Sequence, residues 1–112
     1  PMTDIKLCQL GDIEDGNSAG FQIETPDGKR SVIAVRKADT VHAYVNLCPH
    51  IGAPLDFQPG KFLNHDKTHI MCSTHGALFQ INDGLCVSGP CVDKHLEILV
   101  TKTTGADVWI DF

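Results

Sequence analysis

Cys48-Pro49-His50-Ile51-Gly52-Ala53 and Cys72-Ser73-Thr74-His75-Gly76-Ala77 are two short boxes of similar composition. Each offers one thiol and one imidazole, spaced C-x-H in the first box and C-x-x-H in the second, with residues 51 to 71 between the paired donors. Each box follows a segment that reads as a strand, Tyr44-Val45 and Ile70-Met71. Two such strand-end loops, lying side by side, can close on one metal centre from opposite sides. Pro49 stiffens the first loop, while Gly52 and Gly76 let backbone N–H groups approach an anion. Two thiolates and two imidazoles would satisfy a tetrahedral Zn²⁺. Zinc boxes, however, usually pair like ligands, and here both boxes are mixed. A two-iron, two-sulfide centre accounts for the mixing, with both cysteines on one iron and both histidines on the other.

Outward from the boxes, the chain reads as short strands between turns. Ile5–Leu10 alternates, and the polar stretch from Gly11 to Gly20 reads as loop. Phe21–Glu24 and Val32–Val35 flank the turn Pro26-Asp27-Gly28-Lys29, and Val41–Val45 follows Lys37-Ala38-Asp39. Thr68–Met71, Ala77–Gln80, Leu85–Val87, Leu96–Val100 and Val108–Ile110 complete the set, with tight turns at Asn82-Asp83-Gly84 and Gly105-Ala106-Asp107. No window keeps a helical apolar period for ten residues. The pattern predicts an all-β fold, a small antiparallel sandwich or barrel.

Composition bounds the function. The chain has 112 residues, one domain's worth, and buries about two-thirds of its unfolded surface. Nine Lys+Arg against fourteen Asp+Glu leave a net charge of −5, without the basic footprint that nucleic acid needs. No apolar run approaches the ~20 residues of a membrane span. The start, Pro1-Met2-Thr3-Asp4-Ile5-Lys6, lacks a secretory pattern, so a cytoplasmic protein is expected. Five cysteines cannot all pair with one another, which turns attention to metal binding.

The boxes C-x-H-x-G and C-x-x-H-G-x-x-F, with the Ser88-Gly89-Pro90 turn after them, resemble those of Rieske [2Fe–2S] proteins. The strand pattern from about Val32 to Val100 is similar to the Rieske fold, in which a small cluster-binding subdomain caps an all-β base. The resemblance implies one domain over 1–112 with a cluster-binding subdomain at about 46–91. It implies a [2Fe–2S] cofactor with Cys48 and Cys72 on the inner iron and His50 and His75 on the outer one. Ser88-Gly89-Pro90 would be a third loop covering the cluster. The long separation of the boxes, with extra length around Pro59-Gly60 to Asn64-His65-Asp66, leaves the local hairpin geometry open.

Respiratory members of the family carry a further cysteine in each box, where this chain has Ala53 and Thr74. They also place hydroxyl donors where this chain has Ala77 and Phe79. Sulfur acceptors without those donors keep their electron density, so the potential is expected at the low end of the Rieske range, about −150 mV. The resemblance thus implies a soluble ferredoxin that is not itself an enzyme. It would carry one electron from a reductase to an oxygenase or a similar acceptor, through the edge at His50 and His75. The competing reading is a non-redox structural or regulatory subunit that holds zinc or no metal.

Other candidates read as structural. Cys86 and Cys91 bracket Val87-Ser88-Gly89-Pro90, and ordinary packing is favoured over a disulfide across that turn. Cys8 reads as strand filler. His65 and His69 have the i, i+4 spacing that binds metal only on a helix, and Asn64-His65-Asp66-Lys67 reads as a turn. His42 and His95 read as strand residues, and Trp109, Phe21 and Tyr44 as core. Asp12, Glu14 and Asp15 read as a solvated acidic loop.

Overall fold

A computed structural model describes residues 4–25, 28–47, 62–64, 66–72, 76–89 and 91–111. Within them lie β1 (Asp4–Gln9), β2 (Ser18–Thr25), β3 (Gly28–Lys37), β4 (Thr40–Val45) and β5 (His69–Met71). They are followed by β6 (Leu78–Gln80), β7 (Cys86–Ser88), β8 (Ile98–Thr104) and β9 (Asp107–Asp111). A single 3-10 turn at Leu10–Asp12 is the helical element among the described residues. All strand pairs are antiparallel, in a six-stranded sheet of order β1-β9-β8-β4-β3-β2 and a three-stranded sheet of order β5-β6-β7. The all-β expectation holds, with a large base and a small second sheet.

The large sheet curls around its own interior. Cys8 of β1, Ala34 of β3, Val41 of β4 and Val108 of β9 share one core, with Ala19 and Phe21 of β2 packed against it. Val32, Ala43, Val45, Leu99 and Ile110 continue that interior. The uninterrupted run Val32-Ile33-Ala34-Val35 is fully buried because both faces of β3 are covered. Alternation sends Val32 and Ala34 inward, and Ile33 and Val35 outward into a second core. There they meet Phe62, Ile70, Phe79, Ile81 and Leu96 from the small sheet and its loops. The small sheet is therefore seated on the outer face of β3 and β4.

Tyr44 joins the two regions. Its ring lies in the shared core and its hydroxyl donates to the Ile81 carbonyl at 2.5 Å. Burial, then the negative charge of Asp83, pushes its pKa up to about 12, so the phenol stays a donor. Gly84 makes room for it: a Cβ there would stand 2.9 Å from Tyr44 Cε1, at a φ of +73°. The Asn82-Asp83-Gly84 turn is thus shaped by the tyrosine beneath it.

Two expectations are corrected. Ser18-Ala19-Gly20 was expected in a loop but belongs to β2, opposite Val35, Ala34 and Ile33. Ladder hydrogen bonds to a long neighbour outweigh the weak strand preference of those residues. Trp109 is half-buried and lies outside the cores, because Val108 and Ile110 occupy the inward positions of β9 and alternation turns Trp109 out. Phe21, on the edge strand β2, is half-buried and packs against the interior core.

The acidic loop is exposed yet wired. Asp12 accepts the Gln9 N–H at 2.8 Å, Asp15 the Ala38 N–H at 2.7 Å, and Glu14 the Asn17 amide at 3.0 Å. Arg36 donates to the carbonyls of Leu10 and Ile13 from β3. Among the described residues no helix is long and apolar enough to cross a membrane.

Candidate metal centre

Ile70 and Cys72 are two apart on an extended segment, so both side chains face the shared core, and both are fully buried. Gly76 N–H donates to the Cys72 carbonyl and Cys72 N–H to the Ala77 carbonyl, each at 2.8 Å. Cys72 is thus fixed on both sides of its peptide at the mouth of the β5–β6 hairpin. Its thiol is a soft donor held in an apolar setting, as a buried iron–sulfur ligand requires.

The third loop rests on this turn. Gly89 has a φ of +99°, and a Cβ there would come within 2.8 Å of Ala77 Cα. Only glycine allows that approach, so the Ser88-Gly89 end of β7 lies directly against the second box. Ala77 and Phe79 are fully buried and carry no hydroxyl.

The first box leaves β4 through Asn46 and Leu47. Asn46 is buried, its N–H donating to the Ser31 carbonyl at 2.9 Å and its side-chain amide to Ser31 Oγ at 3.1 Å. Leu47 is exposed at the entry to the box. Cys48, Pro49, His50 and Ile51 to Ala53 lie outside the described residues, as do Ser73, Thr74, His75 and Pro90. Of the four candidate ligands the structure therefore describes Cys72 alone. Asn64-Asp66-Lys67 forms the expected turn, with the Lys67 N–H on the Asn64 carbonyl at 2.9 Å, while His65 is outside the described residues. His69 opens β5, so no helix places it one turn from His65.

His69 instead faces a groove of about 500 Å³ bounded by Lys37, His42, Thr68, Gln80, Ile81 and Asn82. Burial, then the charge of Lys37, lowers the His42 pKa below its ordinary 6.5. His42 is half-buried and His95 exposed, both as strand or strand-end residues. Cys8 is buried in β1, and burial followed by the Asp12 carboxylate raises its pKa. Nothing in the linear pattern marked Tyr44 as the tether or Gly89 as the close approach. Their partners lie far along the chain.

Residues 3–104 match the Rieske [2Fe-2S] domain family. The chain belongs to the Rieske family. Its cofactor is accordingly a [2Fe–2S] cluster. The Rieske chain is 32% identical over 88 residues to apoptosis-inducing factor 3 of mouse and of human, which covers 79% of it but 13% of those proteins. Among solved structures it is similar to the ferredoxin of carbazole 1,9a-dioxygenase from Nocardioides aromaticivorans IC177. That match has a TM-score of 0.76 and 24% identity, covering 96% of each chain. The Sphingomonas yanoikuyae B1 ferredoxin matches with a TM-score of 0.74 and 25% identity, over 98% of this chain and 99% of that one.

Proposed function

We propose that this Rieske protein is a one-electron carrier and not itself an enzyme. Cys48 and Cys72 would hold the inner iron, and His50 and His75 the outer iron, within a cluster-binding region at about 46–91. The observation that carries this reading is the family match over nearly the whole chain. The buried, backbone-anchored Cys72 at a strand-end turn supports it. When bound, the [2Fe–2S] cluster supplies reversible storage of one electron, its charge falling from neutral to singly negative.

The chain's own residues do the rest. Phe79, Ile70 and Leu96 share the buried core with Cys72 and would keep water from its sulfur, and the hydrogen bonds to Gly76 and Ala77 hold its backbone in place. Ala77 and Phe79 offer no hydroxyl to a sulfur, so the potential falls at the low end of the Rieske range. The similarity to ferredoxins of a dioxygenase system, one of them solved in complex with its oxygenase, supports an oxygenase as acceptor; the donor would be a reductase.

Anaerobically purified protein tests this. Equal amounts of iron and acid-labile sulfide, a rhombic EPR signal on reduction, and a midpoint potential near the low limit are expected. A colourless protein with one tightly bound zinc would support the scaffold reading and overturn the carrier.

A further inference from the structure

Cys86 and Cys91 are not among the proposed cluster ligands, yet their sulfurs meet. Cys91 Sγ donates to Cys86 Sγ at 3.2 Å, and Cys86 Sγ donates to the Ser88 carbonyl at the same distance. Both side chains are buried. Packing alone asks for two small apolar side chains here and does not ask for sulfur against sulfur. A disulfide bond is about 2.05 Å long, so roughly one ångström of approach separates contact from bond.

The surrounding backbone holds the two cysteines at one base. Cys86 begins β7, where its N–H donates to the Lys94 carbonyl at 2.8 Å and its carbonyl accepts from Asp93 at 3.4 Å. Lys94 N–H donates back to the Cys91 carbonyl at 2.9 Å. The chain between the two cysteines thus leaves and returns at one pinned base. Val87, Ser88 and Gly89 within it, and Val92 and Asp93 just beyond, are exposed. Both sulfurs are buried, so a reagent reaches them when the exposed Val87-Ser88-Gly89 end of β7 parts from β6.

We propose that Cys86 and Cys91 form a reversible dithiol–disulfide site, a two-electron redox element separate from the metal centre. The oxidant is a low-molecular-weight disulfide of the glutathione class. One protein thiolate attacks it, breaking its S–S bond and releasing one glutathione thiol. The second protein thiolate displaces the remaining glutathione from the mixed disulfide as the Cys86–Cys91 bond forms. The two protein thiols give up two protons and two electrons, and one glutathione disulfide becomes two glutathiones. The closed bond staples the turn that carries Gly89, whose backbone rests on Ala77 beside Cys72.

The holoprotein, equilibrated anaerobically in glutathione buffers of rising disulfide content, tests the site. Samples are acid-quenched, denatured, alkylated and mapped by mass spectrometry. The expected result is a chain lighter by two hydrogens, with Cys86 and Cys91 joined and unalkylated, Cys8 alkylated, and full reversal by dithiothreitol. Cys91→Ser should abolish the mass loss. Alkylation of both Cys86 and Cys91 in the most oxidising buffer would overturn the proposal, as would the same mass loss in Cys91→Ser. Visible absorption and iron content of the same samples report the metal centre separately. A sample without iron that still forms the Cys86–Cys91 bond counts against the carrier and for the dithiol site.

Discussion

β2 and β3 run eight and ten residues and pair along their full overlap, whereas β5, β6 and β7 are three residues each. The long strands close an interior of their own, filled by alternate residues of six strands. The short ones could not: a sheet so small is marginal in water unless it packs on something. Its core is completed by Ile33, Val35 and Tyr44, all contributed by the large sheet. One region is stable through register and length, the other through the surface beneath it and, when loaded, the cluster it helps to hold. On the proposed ligand set the chemistry lies on the region that depends most on its neighbours, where a bound cofactor would add most to order.

The largest effect should come from the ligand end. Cys72→Ser should lose most of its iron and sulfide, and amides of β5–β7 should exchange far faster while β2–β4 keep their protection. Hydrogen exchange with metal analysis reads both. Uniform loss of protection would mean that the two sheets unfold as one unit. Ile33→Ala opens a cavity on the shared face and should cost about 2–5 kcal/mol in denaturant unfolding, with faster exchange in the small sheet. Gly89→Ala forces a side chain into a left-handed position against Ala77 and should cost about 1–3 kcal/mol. It should also lower cluster occupancy, because the strained residue sits on the second box.

Tyr44→Phe keeps the ring but leaves the Ile81 carbonyl buried without its donor, a loss of about 1–3 kcal/mol. Equilibrium unfolding of the variant measures how strongly that hydrogen bond couples the regions. The smallest effect is electrostatic. Folding lowers the His42 pKa, so the unfolded chain binds that proton more readily than the folded one. The contribution is complete above the ordinary value of 6.5 and is lost as pH falls through it toward the folded value. His42→Gln should flatten that part of the stability–pH curve; an unchanged slope would show that the group is solvated in both states.

Much of the base was legible in the linear pattern. Every segment expected as a strand overlaps one, because period-two alternation and turn residues are local properties. The edges were less legible: Ser18-Ala19-Gly20 joins β2 through a partner strand that no propensity announces. Trp109 was misplaced because size suggested burial, while its neighbours Val108 and Ile110 had already taken the inward positions. In the metal centre, the donor types and their spacing were plain from the two boxes. The support beneath Cys72, by contrast, comes from Gly89 and Ala77 and was not.

Sequence alone determined the strand succession, the two Cys/His boxes proposed as the donor set and the absence of hydroxyls at Ala77 and Phe79. Each of these is carried by residues a few positions apart. Only the tertiary structure decided that both faces of β3 are covered, that Tyr44 reaches Ile81, and that Cys86 and Cys91 touch. Those outcomes depend on how one sheet settles on another. Packing brings together atoms from distant parts of the chain, and local pattern carries no record of which ones will meet.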